Sequence, residues 1–128
     1  MKALIALLVL SVPAFAQETK CPFPDQKPML LTRVYFGQTI PNSGRISTVE
    51  WRSFLTKMVE PRFPGGFTIY DAVGRWNGVP EPTKIIEVAA EDTAAFRTSI
   101  GEIAQYYRQH FRQEAIGVVT MPGCGAFS

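Results

Sequence analysis

Apolar side chains along this chain recur first at alternate positions, then at three-and-four spacing, then at alternate positions again, and the whole order is repeated. That switching between the strand period and the helix period restricts the fold more than any single motif does. The run Leu30–Gly37, LLTRVYFG, is apolar, aromatic and β-branched, and predicts a first strand. Residues 38–45, with Pro41, Asn42, Ser43 and Gly44, read as a loop. Ser47 and Glu50 then form a capping box, with Ile46 and Trp51 as its hydrophobic staple. The helix that starts there has one apolar stripe, Trp51, Phe54, Leu55, Met58 and Val59, and Pro61 ends it.

The second half repeats the scheme. Pro64, Gly65 and Gly66 make a turn into a second strand, Phe67–Trp76. Asn77 and Gly78 signal a hairpin, with the loop extended through Pro80 and Pro82 before a third strand, Lys84–Ala90. Asp92 or Thr93 caps a second helix whose stripe is Phe96, Ile100, Ile103, Tyr107 and Phe111, and Ala115–Met121 is a fourth strand. The order β-α-β-β-α-β predicts an α+β, ferredoxin-like domain with two helices packed on one face of a four-stranded antiparallel sheet.

The ends of the chain set its compartment. Lys2, the uncharged run from Ala3 to Val12, Pro13 and the triplet Ala14, Phe15, Ala16 form a secretory signal peptide over residues 1–16. Its apolar run falls well short of the roughly twenty residues that span a bilayer, so no stable membrane anchor is expected after cleavage. Residues 17–29 form a Pro-rich arm and residues 30–128 a single domain, placed in a periplasm or outside the cell. One domain of about 110 residues is near the size at which a crosslink matters. Cys21 and Cys124, one near each end of an exported chain, are expected to be bonded. A formal net charge of +2, spread along the chain, does not make the basic cluster that nucleic acid requires.

Strand alternation divides the polar residues between two faces. Val34, Phe36, Phe67, Ile69, Ile86 and Val88 suit the helix-covered side, leaving Arg33, Tyr35, Tyr70, Ile85 and Glu87 on the open side. Arg33, Tyr35, Tyr70 and Glu87 are therefore the candidate ligand-binding residues, with aromatic rings beside a guanidinium; Arg33 and Glu87 are also placed to pair across neighbouring strands. Asp71 shares parity with Phe67 and Ile69, so it is expected on the covered side with a cationic partner, Arg62, Arg75 or Lys84. Gly74 marks a bulge or a close backbone approach. Arg62, Asp71, Glu81 and Lys84 are read as structural polar anchors of the second strand and its hairpin. The lone His110 has no companions at metal-ligand spacing, no G-x-S-x-G elbow is present, and Gly65 and Gly66 lack the rest of a phosphate loop. No metal and no cofactor are expected.

The segments TRVYFG (32–37), EW..F (50–54), PRFPGGFT (61–68), DA.G.W (71–76), EPTK (81–84), F.QEA (111–115) and the terminal Cys124 together resemble a family of small exported bacterial proteins known as domain of unknown function 3574. The resemblance covers nearly all of the chain after residue 16, and implies that Arg33, Tyr35, Arg62, Asp71, Trp76, Glu81 and Lys84 belong to the family's pattern; it implies no reaction. Three readings remain open. The first is a small-ligand-binding or accessory module that uses the open sheet face. The second is a cofactor-free enzyme resembling the dimeric α/β-barrel monooxygenases. The third is a structural homodimer paired through that face.

Overall fold

Residues 20–127 are described by a computed structural model, so the expected signal peptide lies outside the described residues. Strand β1 (Lys27–Gly37) starts three residues earlier than the apolar pattern suggests and takes in the end of the Pro-rich arm. The reason is pairing: Lys27, Pro28 and Met29 stand opposite Gly125, Cys124 and Gly123 on the last strand. Cys21 is bridged to Cys124, with Cα atoms 5.7 Å apart, which pins the arm beside that strand.

The segment after β1 is shaped into a small hairpin, β2 (Thr39–Ile40) and β3 (Gly44–Arg45), where a loop was expected. Asn42 and Gly44 supply its left-handed backbone, at φ 60° and 83°. Helix α1 (Thr48–Phe54) begins at the expected capping box: the Ser47 hydroxyl accepts from the Glu50 amide at 3.1 Å, and the Glu50 carboxylate accepts from the Ser47 amide at 2.7 Å. That backbone donor holds the Glu50 carboxyl below its ordinary pKa. The helix continues as a π-helical turn, Leu55–Val59, closed by the Glu60 amide on the Leu55 carbonyl.

Strands β4 (Thr68–Trp76) and β5 (Val79–Ala90) meet through a two-residue turn, Asn77 and Gly78, both at positive φ as a type I′ hairpin requires. Pro80 and Pro82 lie inside β5, not in a loop before it. The Gln38 amide donates to the Pro82 carbonyl at 2.9 Å, so the prolines turn their missing N–H groups towards the side where β1 has already ended. Helix α2 (Ala94–His110) is capped by Thr93, whose hydroxyl accepts from the Phe96 amide. Strand β6 runs Gly117–Gly125, two residues later at its start than expected.

The four long strands form one antiparallel sheet in the order β4-β5-β1-β6. With the two helices this is an α+β fold. The core joins Val34, Phe36, Ile86 and Val88 of the sheet to Trp51, Phe54 and Val59 and to the whole expected stripe of α2, Phe96, Ile100, Ile103, Tyr107 and Phe111. Phe36 is its hub, in edge contact with Trp51, Phe54 and Tyr107 at ring separations of 5.7, 5.2 and 4.7 Å. Ile69 was expected in this core and is instead 37% exposed. It faces the covered side beside Ile86, but β4 is an edge strand and the helices lie over the centre of the sheet.

A buried polar network ends β1. The Tyr107 hydroxyl donates to the Gly37 carbonyl at 2.7 Å, and the Gln38 amide group donates to both the Tyr107 oxygen and the Phe36 carbonyl at 3.0 Å. Burial pushes the Tyr107 hydroxyl well above its ordinary pKa, so it stays protonated and keeps that donor.

Candidate functional site

Register places the four expected ligand-binding residues on the open face. Arg33 stands opposite Glu87, Thr68 opposite Glu87, and Tyr35 and Tyr70 both opposite Ile85. Arg33 Nε reaches Glu87 Oε2 at 2.6 Å, and the Tyr70 hydroxyl donates to Glu87 Oε1 at 3.2 Å. Three of the four thus form a latch whose members satisfy one another. The hydrogen bond to Glu87, reinforced by its charge, raises the Arg33 pKa, so the guanidinium is held in a charged pair through its Nε.

The fourth, Tyr35, borders a different place. Towards the hairpin end of the same face lies a hollow of about 770 Å³. Its floor comes from strand positions with little or no side chain: Gly37 on β1, Ala72 and Gly74 on β4, Thr83 on β5 and Gly117 on β6. One wall is the β4–β5 hairpin from Trp76 to Pro80, and the other is the segment Gln113–Ile116 between α2 and β6. The walls meet where Trp76 Nε1 donates to Glu114 Oε2 at 3.3 Å. Gln113 anchors the second wall by donating to the carbonyls of Thr39 and Phe111.

Glu81 stands apart from the other expected anchors. Its carboxylate has no hydrogen-bond or ion-pair partner among the described residues. It lies over the bare backbone of Gly37, where a β-carbon would collide with Glu81 Oε1 and stand 3.1 Å from Gln113 Oε1. Glu81 therefore lines the hollow, and its contact within the hairpin is through its carbonyl, which accepts from the Thr83 hydroxyl. Gly74 makes no bulge, since the β4–β5 ladder is unbroken across it; a β-carbon there would sit 3.2 Å from the Thr83 hydroxyl oxygen.

The other expected anchors are each paired, but with partners or at a depth that parity does not give. Asp71 pairs with Lys84, directly opposite it, yet its side chain is 84% exposed because β4 is the uncovered edge. The buried carboxylate expected there is thus a surface ion pair. Lys84 also lies 5.7 Å over the Trp51 ring. Arg62 is bound elsewhere, to Glu102 at 2.9 Å and to the Met58 carbonyl. His110 stacks on Tyr106 at 5.2 Å. Among the described residues, no group of three or more His, Cys, Asp or Glu side chains is disposed to hold a metal ion.

The hollow could have been approached from sequence through Gly37 and Gly74, which share strand parity with Tyr35 and Tyr70. What was missing was the register that brings Gly117 and Glu81 beside them.

The model of a family described as protein of unknown function (DUF3574) matches residues 31–127. The chain belongs to that family. The match takes in every residue of the latch and of the hollow. No curated protein gives a significant sequence match. Among solved structures, the chain is similar to a phage SAM lyase in complex with S-methyl-5'-thioadenosine, at 13% identity and TM-score 0.51, over 77% of this chain and 90% of that one. The same lyase in its apo state matches at 10% identity and TM-score 0.51, over 77% and 89%. At such identity the likeness is one of fold.

Proposed function

We propose that this member of the DUF3574 family is an exported small-ligand-binding module whose site is the hollow at the hairpin end of the open sheet face. The observation that carries the reading is the hollow itself: about 770 Å³, within the roughly 300–1,000 Å³ typical of small-molecule sites, with glycine floor and aromatic rim. Export is supported by the leader pattern of residues 1–16 and by the bridge between Cys21 and Cys124, which suits an oxidising compartment. Among the described residues no helix is long and apolar enough to cross a membrane. The same fold in the phage lyase accommodates a nucleoside thioether, a ligand of fitting size. A second reading, a cofactor-free enzyme, is favoured by one feature, the Glu81 carboxylate in the hollow, which has no partner among the described residues and is placed to act as a base.

Filling the hollow tests the first reading. Gly117 has ordinary strand backbone, and a β-carbon there would make van der Waals contact with Tyr35 at 3.4 Å, so Gly117→Leu folds and projects its side chain into the hollow. A thermal-shift screen of nucleosides, thioethers and small aromatic amines is expected to find ligands that raise the Tm of the wild type but not of Gly117→Leu. Hits that stabilise both proteins equally place the site elsewhere, and the reading fails.

A further inference from the structure

The donors and acceptors around the hollow are unequally free. Trp76 Nε1 is spent on Glu114, the Thr83 hydroxyl on the Glu81 carbonyl, both protons of the Gln113 amide on carbonyls, and Arg75 Nη1 is directed at the Gly78 carbonyl at the hairpin tip. The neutral Tyr35 hydroxyl and Asn77 amide are the donors left without a partner among the described residues, beside the rest of the Arg75 guanidinium. The acceptors are not spent in this way. Both oxygens of Glu81 lack a partner among the described residues, and Gln113 Oε1 is turned towards Gly37 beside them. Glu114 uses one oxygen on Trp76 and adds a second carboxylate to the wall. Two carboxylates against one outward-tied guanidinium leave the hollow net negative, and the aromatic residues Tyr35 and Trp76 line it.

Given that the hollow is a ligand site, the geometry points to a ligand with a cationic centre, a sulfonium or an alkylated or protonated amine, attached to a flat or apolar body. The cation sits on the solvent side of the Glu81 carboxylate, which itself rests over Gly37. The body lies on Ile85 and the small residues of the floor, between the two rings. Carboxylate and aromatic faces both favour a weakly hydrated cation, and neither favours an anion. Gly37 is then a specificity residue: its lack of a side chain is what lets the Glu81 carboxylate occupy this position.

The test compares phenyltrimethylammonium with its neutral isostere tert-butylbenzene and with anionic benzenesulfonate, by titration of Trp76 fluorescence at fixed ionic strength. The wild type is expected to prefer the ammonium over the neutral isostere by at least about tenfold and to exclude the sulfonate. Glu81→Gln, which keeps shape and removes charge, brings the ratio close to one and leaves tert-butylbenzene binding unchanged. Gly37→Ala, which displaces the carboxylate without touching its charge, does the same. Equal binding of the ammonium and its isostere by the wild type overturns the cation assignment and leaves the ligand site standing. A preference that survives both variants also overturns it. If none of the three probes binds, the cation assignment falls, and the ligand site stands or falls separately on the thermal-shift comparison of wild type with Gly117→Leu.

Discussion

The covered and open faces of the sheet are made by alternate residues of the same strands, so neighbours in sequence end up under opposite rules. On β1, Val34 and Phe36 have no exposed surface and pack into aromatic rings from both helices, whereas Arg33, Tyr35 and Gly37 face outwards. On the covered side, rings from both helices close over Phe36. The open side is divided: at one end Arg33, Tyr70 and Glu87 close on one another, and at the other end glycines leave a hollow where Glu81 has no partner among the described residues. Packing explains the first face almost completely, and bulk and its absence explain the second.

The sharpest way to break that contrast is to remove Phe36. Truncating a fully buried aromatic hub costs about 3–5 kcal/mol. Phe36→Ala is therefore expected to shift the denaturant midpoint severely, while Tyr35→Ala, one residue along and facing outwards, changes it little. Comparable losses from the two substitutions in urea unfolding would mean that the open face is also packed, against a partner or a second copy.

Tyr107→Phe probes the seam between the faces. The hydroxyl links the helical layer to the Gly37 carbonyl, and its loss removes a partner from that carbonyl and from the Gln38 amide. A buried, unsatisfied pair of this kind costs about 1–2 kcal/mol. Because Gly37 is the floor on which Glu81 rests, the substitution is also expected to weaken ligand binding in the hollow without changing any residue that lines it. Unfolding curves and the fluorescence titration together separate the two effects; full stability would show that water replaces the hydroxyl.

Much of the covered face was legible in the sequence because it is specified locally. The capping box at Ser47 and Glu50, and the stripe from Phe96 to Phe111, depend only on helical periodicity, and both stand where the pattern puts them. The Arg33 and Glu87 pairing was also accessible, since it needs only parity and the adjacency of two central strands. Ile69 and Asp71 were misjudged because parity gives a side but not a depth, and depth depends on being at the sheet edge. The hollow was illegible for a related reason. It is built from absences at Gly37, Gly74 and Gly117, on three different strands, and these are brought together only by register. The prolines at 80 and 82 concealed its wall further, since they read as loop until the end of β1 is known.

The smallest expected effect tests whether the edge of the covered face follows the rules of that face or of solvent. Asp71 has covered-side parity, yet with 84% of its side chain exposed it is hydrated before and after pairing with Lys84. Exposed ion pairs of this type contribute no more than about 1 kcal/mol, and salt weakens them further. Asp71→Ala strands no buried charge, because Lys84 keeps its position over Trp51 and its ammonium stays within reach of water. Lys84→Ala is expected to cost more, since 26% exposure marks a stem that packs against the indole as well as a charge that pairs. Thermal melts of both variants at low and high salt measure the difference. If Asp71→Ala instead costs several kcal/mol, as breaking a buried pair would, then β4 is covered in the folded protein, and the edge on which the hairpin wall of the hollow rests is itself an interface.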